Sequence, residues 1–149
     1  MSKKINLLET GNMLLAAQKI VLCCHVSPDG DTLGSALGFA RLLEQKGKEV
    51  TVFVDDDINK SLNFIPGIEK VQRPEAGVIV EADLFVVVDA SSFDRVGICN
   101  EVVKAPVLLN IDHHISNTEF ADYLYLDAEA AAAGEIMCDL FEAMGWEYD

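Results

Sequence analysis

Val107-Leu108-Leu109-Asn110-Ile111-Asp112-His113-His114 is an apolar run that stops at one carboxylate and two imidazoles. The run reads as a buried strand, and a strand leaving the core ordinarily meets plain solvated residues. Here it meets imidazole nitrogens and a carboxylate, which are ligands for Zn, Mn or Fe, and imidazole is also the usual proton shuttle near neutral pH. Two adjacent histidines are a short signal, so what stands at the ends of the other strands decides how the motif is read.

Upstream, Ile20-Val21-Leu22-Cys23-Cys24 is another continuous apolar run, of the kind covered on both faces, and it ends at His25. The turn that follows, forced by Pro28 and Gly30, carries Asp29 and Asp31. Leu84-Phe85-Val86-Val87-Val88 is the clearest strand, and it runs into Asp89. Val50 to Val54 ends in Asp55-Asp56-Asp57, which reads as a solvated loop because like-charge runs are usually exposed. Tyr123 to Leu126 alternates as an edge strand.

Helical spacing fills the intervals. Ile5, Leu8, Leu15 and Ala16 mark a modest N-terminal helix interrupted at Gly11-Asn12. Thr32 is placed to cap a helix through Leu33, Leu37, Ala40 and Leu43 that ends at Gly47, with Gly30, Gly34 and Gly38 giving it a smooth side toward a strand. Short helical stretches fit Ser61 to Ile65 and Ile98 to Lys104, and Asp127 is placed to cap a last helix through Ile136, Leu140 and Phe141 to Gly145. Alternating strands and helices imply a doubly wound α/β domain: a mostly parallel sheet of about five strands with helices on both faces. The Gly-x-Gly-x-x-Gly of dinucleotide binders is missing from the first turn. Ligands in such sheets bind at the carboxyl ends of the strands, so parallel strands gather His25, Asp29, Asp31, Asp89, Asp112, His113 and His114 on one rim.

The totals narrow the chemistry. A length of 149 residues suits one domain, and a net charge of −14, from 25 acidic against 11 basic residues, argues against an unaided grip on long duplex nucleic acid. An anionic substrate would need local cations, which bound metal ions supply. Cys23, Cys24, Cys99 and Cys138 show no Cys-x-x-Cys spacing and read as reduced core residues. No run approaches the roughly 20 apolar residues of a membrane span, and the residues up to Gln18 lack a signal-peptide block, so a cytoplasmic protein is expected.

Two imidazoles and three carboxylates suffice for two adjacent ions if one carboxylate bridges. The economical assignment gives one ion His25 and Asp29, the other Asp31 and His113, with Asp89 between them. Thiolate-free mixed ligation suits Mn²⁺, Fe²⁺, Zn²⁺ or Co²⁺, and two such ions can activate water and clamp a transferring phosphoryl group. His114 is left for the substrate, as donor to a phosphoryl oxygen or general acid, or else it is a surface residue beside a true ligand. Asp112 suits the orienting of an imidazole.

Asp112-His113-His114, preceded by His25-x-x-x-Asp29-Gly30-Asp31 and by Asp89, resembles the DHH phosphoesterase superfamily, which includes RecJ-type exonucleases and family II inorganic pyrophosphatases. The runs Pro28 to Ser35, Arg95-Val96-Gly97 and Ala132-Ala133-Gly134-Glu135 most resemble its bifunctional oligoribonuclease and phosphoadenosine-phosphate phosphatase branch. The resemblance implies the same ligands, two Mn²⁺ ions, and a hydrolase acting on short RNA or a small nucleotide. It leaves Arg95 either a substrate contact or a structural hydrogen-bonding residue. Hydrolysis of pyrophosphate, polyphosphate or a cyclic-dinucleotide product is the sibling reading, and a regulatory domain that binds metal or nucleotide is the non-enzymatic one. A homodimer is compatible with all of them. The superfamily's fourth metal-binding Asp and its smaller C-terminal domain, rich in glycine and basic residues, should follow residue 149, and Asp149 itself does not suit the fourth-motif role. The expectation is therefore that residues 1–149 are the N-terminal domain of a longer enzyme, weak or inactive alone.

Overall fold

The computed structural model describes residues 1–147, so the expectation for Asp149 falls outside the described residues. Three apolar runs become the middle of the sheet as β2 (Lys19–Cys24), β6 (Leu84–Val88) and β8 (Leu108–Asp112). Their side chains alternate between two cores, as a strand's period of two requires. Ile20, Leu22, Cys24, Leu84, Val86, Val88, Leu109 and Ile111 face one core; Val21, Cys23, Phe85 and Val87 face the other. The first core lies under the helices α1 (Leu7–Ala16), α2 (Gly30–Gln45) and α4 (Ala133–Met144), which contribute Leu14, Leu33, Phe39, Leu43, Ile136 and Leu140. The second is covered by a 3₁₀ turn at Phe93–Val96 and the four-residue α3 (Cys99–Val102).

With β1 (Lys3–Lys4), β3 (Glu49–Phe53), β4 (Val71–Gln72) and β9 (Tyr123–Leu126), the main sheet has seven strands in the order β1-β9-β8-β6-β2-β3-β4. Every pairing in it is parallel. From β2 the chain steps outward to β3 and β4, then crosses back to β6 on the other side. That reversal makes the gap between β2 and β6 the topological switch point, where open α/β sheets bind ligands. Their register sets Cys24 beside Val88, so His25 and Asp89 emerge together.

Several expectations are corrected. Tyr123–Leu126 is not an edge strand, because Lys3 and Lys4 pair with Tyr123 and Leu124. α1 runs unbroken through Gly11, where a β-carbon would collide with Met144 of α4, and Leu8 faces solvent. The smooth side of α2 meets helix, not strand: Gly38 lies against Met137, and nothing crowds Gly34. Asp127 forms only a turn, accepting from the Glu129 N–H at 3.1 Å, and α4 begins six residues later at Ala133. The stretch after Ile98 is helical only to Val102, because Val103–Lys104 (β7) pairs with Val80–Glu81 (β5) in a separate two-stranded sheet. Of the cysteines, Cys23, Cys24 and Cys99 are buried free thiols and Cys138 is exposed. Burial pushes the Cys23 and Cys24 thiols well above their ordinary pKa, which makes them unreactive. Among the described residues no helix is long and apolar enough to cross a membrane.

Candidate metal and active site

The loop from β2 to α2 brings the first ligand atoms together. Asp29, not Thr32, is the N-cap of α2, and its Oδ1 accepts from the Thr32 N–H at 2.8 Å. Ser27 takes a left-handed conformation at φ 54°, and its N–H donates to Asp56 Oδ2 at 2.8 Å. The acidic triplet therefore does structural work: Asp55 accepts from the Ile98 N–H, and only Asp57 is fully solvated. His25 Nδ1 lies 2.6 Å from the Val26 carbonyl oxygen. A carbonyl can only accept, so Nδ1 carries the proton and Nε2 faces the cluster. There Nε2 lies 3.0 Å from Thr32 Oγ1 and 3.7 Å from Asp89 Oδ2. The hydrogen bond to Asp89 raises the His25 pKa, against burial and the nearby Arg95 charge.

Asp89 is the hub. It is a non-glycine residue with φ 62°, a left-handed conformation that costs energy and aims its carboxylate back over the switch point. Burial pushes its carboxyl up, but hydrogen bonds from His25 and Thr32 and the charge of His113 outweigh that and hold it below its ordinary range. Oδ2 accepts from Thr32 Oγ1 at 2.6 Å. Oδ1 lies 2.8 Å from His113 Nε2, yet this buried atom has no hydrogen bond among the described residues. The two findings agree once direction is considered. The atoms are close without being aligned as hydrogen-bond donor and acceptor.

At the end of β8 the side chains form a relay. The fully buried Asp112 accepts from His114 Nδ1 at 2.6 Å and from Asn117 Nδ2 at 2.8 Å. Asn117 Nδ2 also donates to Asn110 Oδ1, and Asn110 Nδ2 donates to the carbonyls of Val87 and Ala90, at 3.0 and 3.2 Å. The loops bearing Asp89 and His114 are thus tied together through a buried amide. With Nδ1 committed to Asp112, the half-exposed His114 ring has Nε2 left for other contacts.

Asp31 sits on the far side, where both its oxygens accept from the first N–H groups of α4, Ala133 and Gly134, each at 3.0 Å. It serves as the cap that Ala132 cannot be. The buried Ser35 Oγ, one turn on along α2, has no hydrogen-bond partner among the described residues. Two sets of ligand atoms fall within 4.8 Å of one another: Asp89, His113 and His114; and Asp29, Asp31 and Asp89. Asp89 belongs to both. His25 falls in neither set, with its Nε2 3.7 Å from Asp89, and Arg95 stands apart, exposed in the 3₁₀ turn, although its backbone carbonyl accepts from the Val26 N–H at 2.7 Å and braces the His25 loop. A cavity of about 480 Å³ runs along α2 past Leu37, Ile65 and Met137 and is lined by none of the rim residues.

Residues 19–149 match the family described as DHH family, N-terminal domain. The chain belongs to the DHH family. Among DHH relatives, the bifunctional oligoribonuclease and PAP phosphatase NrnA of Thermus thermophilus is 34% identical over 132 residues, which cover 87% of this chain and 38% of that protein. The probable manganese-dependent inorganic pyrophosphatase of Enterococcus faecalis is 29% identical over 116 residues, covering 74% of this chain and 36% of its own. The crystal structure of an exopolyphosphatase-related protein from Bacteroides fragilis superposes with a TM-score of 0.85 at 28% identity, covering 94% of this DHH domain and 44% of that chain. The chain thus spans less than half the length of these relatives.

Thr32, Asn110 and Asn117 were not singled out as site residues from the sequence. A lone Asn inside the apolar run of β8 was the available signal, because a buried amide in a strand needs partners. Nothing in the sequence announces that the Thr32 hydroxyl turns toward the rim.

Proposed function

We propose that this DHH domain is the metal-binding half of a phosphoesterase acting on short oligoribonucleotides or a small nucleotide such as phosphoadenosine phosphate. The observation that carries the reading is Asp89, shared by both ligand sets, with a buried Oδ1 that no hydrogen bond satisfies. A divalent cation fits that atom and the carboxylate-imidazole donor set around it. We assign His25 and Asp29 to one ion, Asp31 and His113 to a second, and Asp89 to both, a pairing that differs from the two clusters, which group Asp31 with Asp29 and His114 with His113; Mn²⁺ is favoured by the pyrophosphatase relative. Bound there, two ions supply Lewis-acid activation of water and charge neutralisation of phosphate. Asp112 holds the His114 ring so that Nε2 can donate to a phosphoryl oxygen or protonate the leaving group. Arg95, an exposed cation beside His25, is placed to attract an anionic substrate. Three buried thiols with no disulfide suit a reducing cytoplasm.

The relatives' greater length leads us to treat residues 1–149 as the N-terminal part of a longer enzyme. The longer protein with Mn²⁺ is expected to release mononucleotides from di- to pentaribonucleotides, and the present chain to do so weakly or not at all. Absence of that activity in the longer protein would refute the reading. Similarity to the pyrophosphatase and to the exopolyphosphatase-related protein supports a second substrate class, so rates on pyrophosphate and on a dinucleotide should be compared directly. His113→Ala should abolish turnover in an enzyme; a variant that only shifts metal affinity while leaving turnover intact would favour a sensor.

A further inference from the structure

Three candidate ligand residues, two from the β2–α2 loop and one from the end of β6, converge on one hydroxyl that none of the roles above uses. Thr32 Oγ1 lies 2.6 Å from Asp89 Oδ2, 2.9 Å from Asp29 Oδ1 and 3.0 Å from His25 Nε2. The residue has no solvent exposure, so water cannot substitute for these partners. Its place is rigid: it lies in the first turn of the sixteen-residue α2, flanked by the buried Leu33, Ser35 and Ala36. A threonine hydroxyl has one proton, which the shortest contact gives to Asp89 Oδ2, and Asp29 Oδ1 keeps a donor of its own in the Thr32 backbone N–H at 2.8 Å. Without the hydroxyl, the carboxylates of Asp29 and Asp89, members of one cluster within 4.8 Å, would face each other with like charge and no donor between them. Asp89 needs such a tether most, because its left-handed backbone costs energy and its own N–H bond to the Ile111 carbonyl, at 2.9 Å, does not fix the carboxylate.

We propose that Thr32 is a positioning residue for the metal site: its hydroxyl donates to Asp89 while its backbone N–H holds Asp29, with His25 Nε2 against the same hydroxyl oxygen, so that the ligands need not reorganise to receive an ion. The inference rests on the metal-site reading above. Thr32 touches no substrate in this assignment and acts through the ligands it holds.

Thr32→Val keeps the shape and removes the hydroxyl; Thr32→Ser keeps the hydroxyl and removes the methyl group. Mn²⁺ titration by calorimetry and Co²⁺ titration by visible absorption should show affinity falling by roughly 10–100-fold in Thr32→Val, the usual cost of losing a group that orients metal ligands. Thr32→Ser should bind close to the parent. Thr32→Ala, which adds no bulk to the core, carries the same expectation as valine and serves if Thr32→Val does not fold, as judged by circular dichroism without metal. Parental affinity in the folded valine or alanine variant overturns the inference, as does an equal loss in Thr32→Ser, which would implicate packing instead. A folded parent that binds neither ion overturns the metal reading and this inference together; a parent that binds while the hydroxyl proves dispensable overturns this inference alone.

Discussion

Asp89 and Asn117 show how single side chains divide stability from function. Against burial, His25, Thr32 and His113 hold the Asp89 carboxyl below its ordinary range, so in metal-free protein the charged form is the one the fold stabilises. Asp89→Asn, which tolerates the same left-handed backbone, is therefore expected to melt lower than the parent in metal-free buffer and to lose all response to Mn²⁺. Differential scanning fluorimetry with and without Mn²⁺ reads both effects. Asn117→Ala also destabilises, but through neutral donors: Asp112 and Asn110 each lose a buried one, at about 1–3 kcal/mol. The ring of His114 then loses its fixed carboxylate, so turnover of the longer enzyme should fall while Mn²⁺ affinity holds. The charged rim residues were legible because each stands directly after an apolar strand. Asn117 and Thr32 were not, because their roles depend on which neighbour a side chain turns toward, and only the packed fold settles that.

At the scale of elements, α4 depends on a carboxylate from another helix. Asp31→Ala leaves the Ala133 and Gly134 N–H groups without their acceptor and should cost about 0.5–2 kcal/mol by chemical denaturation, as loss of a helix cap does. Asp127→Ala should stay within about 0.5 kcal/mol, because Asp127 makes only a surface turn. The sequence points to Asp127 because caps are read locally, whereas the true cap is 102 residues away from Ala133. Gly38 carries the close approach of α2 to α4; Gly38→Val should displace Met137 and destabilise by about 1–3 kcal/mol. Asp83, exposed at the foot of β6, accepts from the N–H groups of Lys19 and Gln18, and these bonds lower its pKa. A lowered carboxyl pKa contributes stability above its unfolded value and loses it as pH falls through the folded value. The parent should therefore weaken more steeply on acidification below about pH 4 than Asp83→Asn, as followed by circular dichroism.

For the whole molecule, a net charge of −14 with acids gathered at the switch point makes cation binding a global event. Ion at about 100 times its dissociation constant adds about 2.7 kcal/mol of stability. For a chain of this size that is a rise in Tm of roughly 5–10 °C, which a chelator should reverse. The parallel sheet and the position of the rim were legible because three unbroken apolar runs alternate with helical spacing. The thin cover of the second face was not, since segments as short as Val103–Lys104 carry too little pattern to separate strand from helix. The pairing of Lys3 and Lys4 with β9 has a consequence outside the site altogether. Tyr123-Leu124-Tyr125-Leu126 is a strongly β-forming segment, and its outer hydrogen-bonding edge is masked by two lysines that repel a second sheet. Those residues act as gatekeepers: protein shortened by its first five residues should self-associate through β9 and sediment as aggregates, with the ligand cluster of each copy intact.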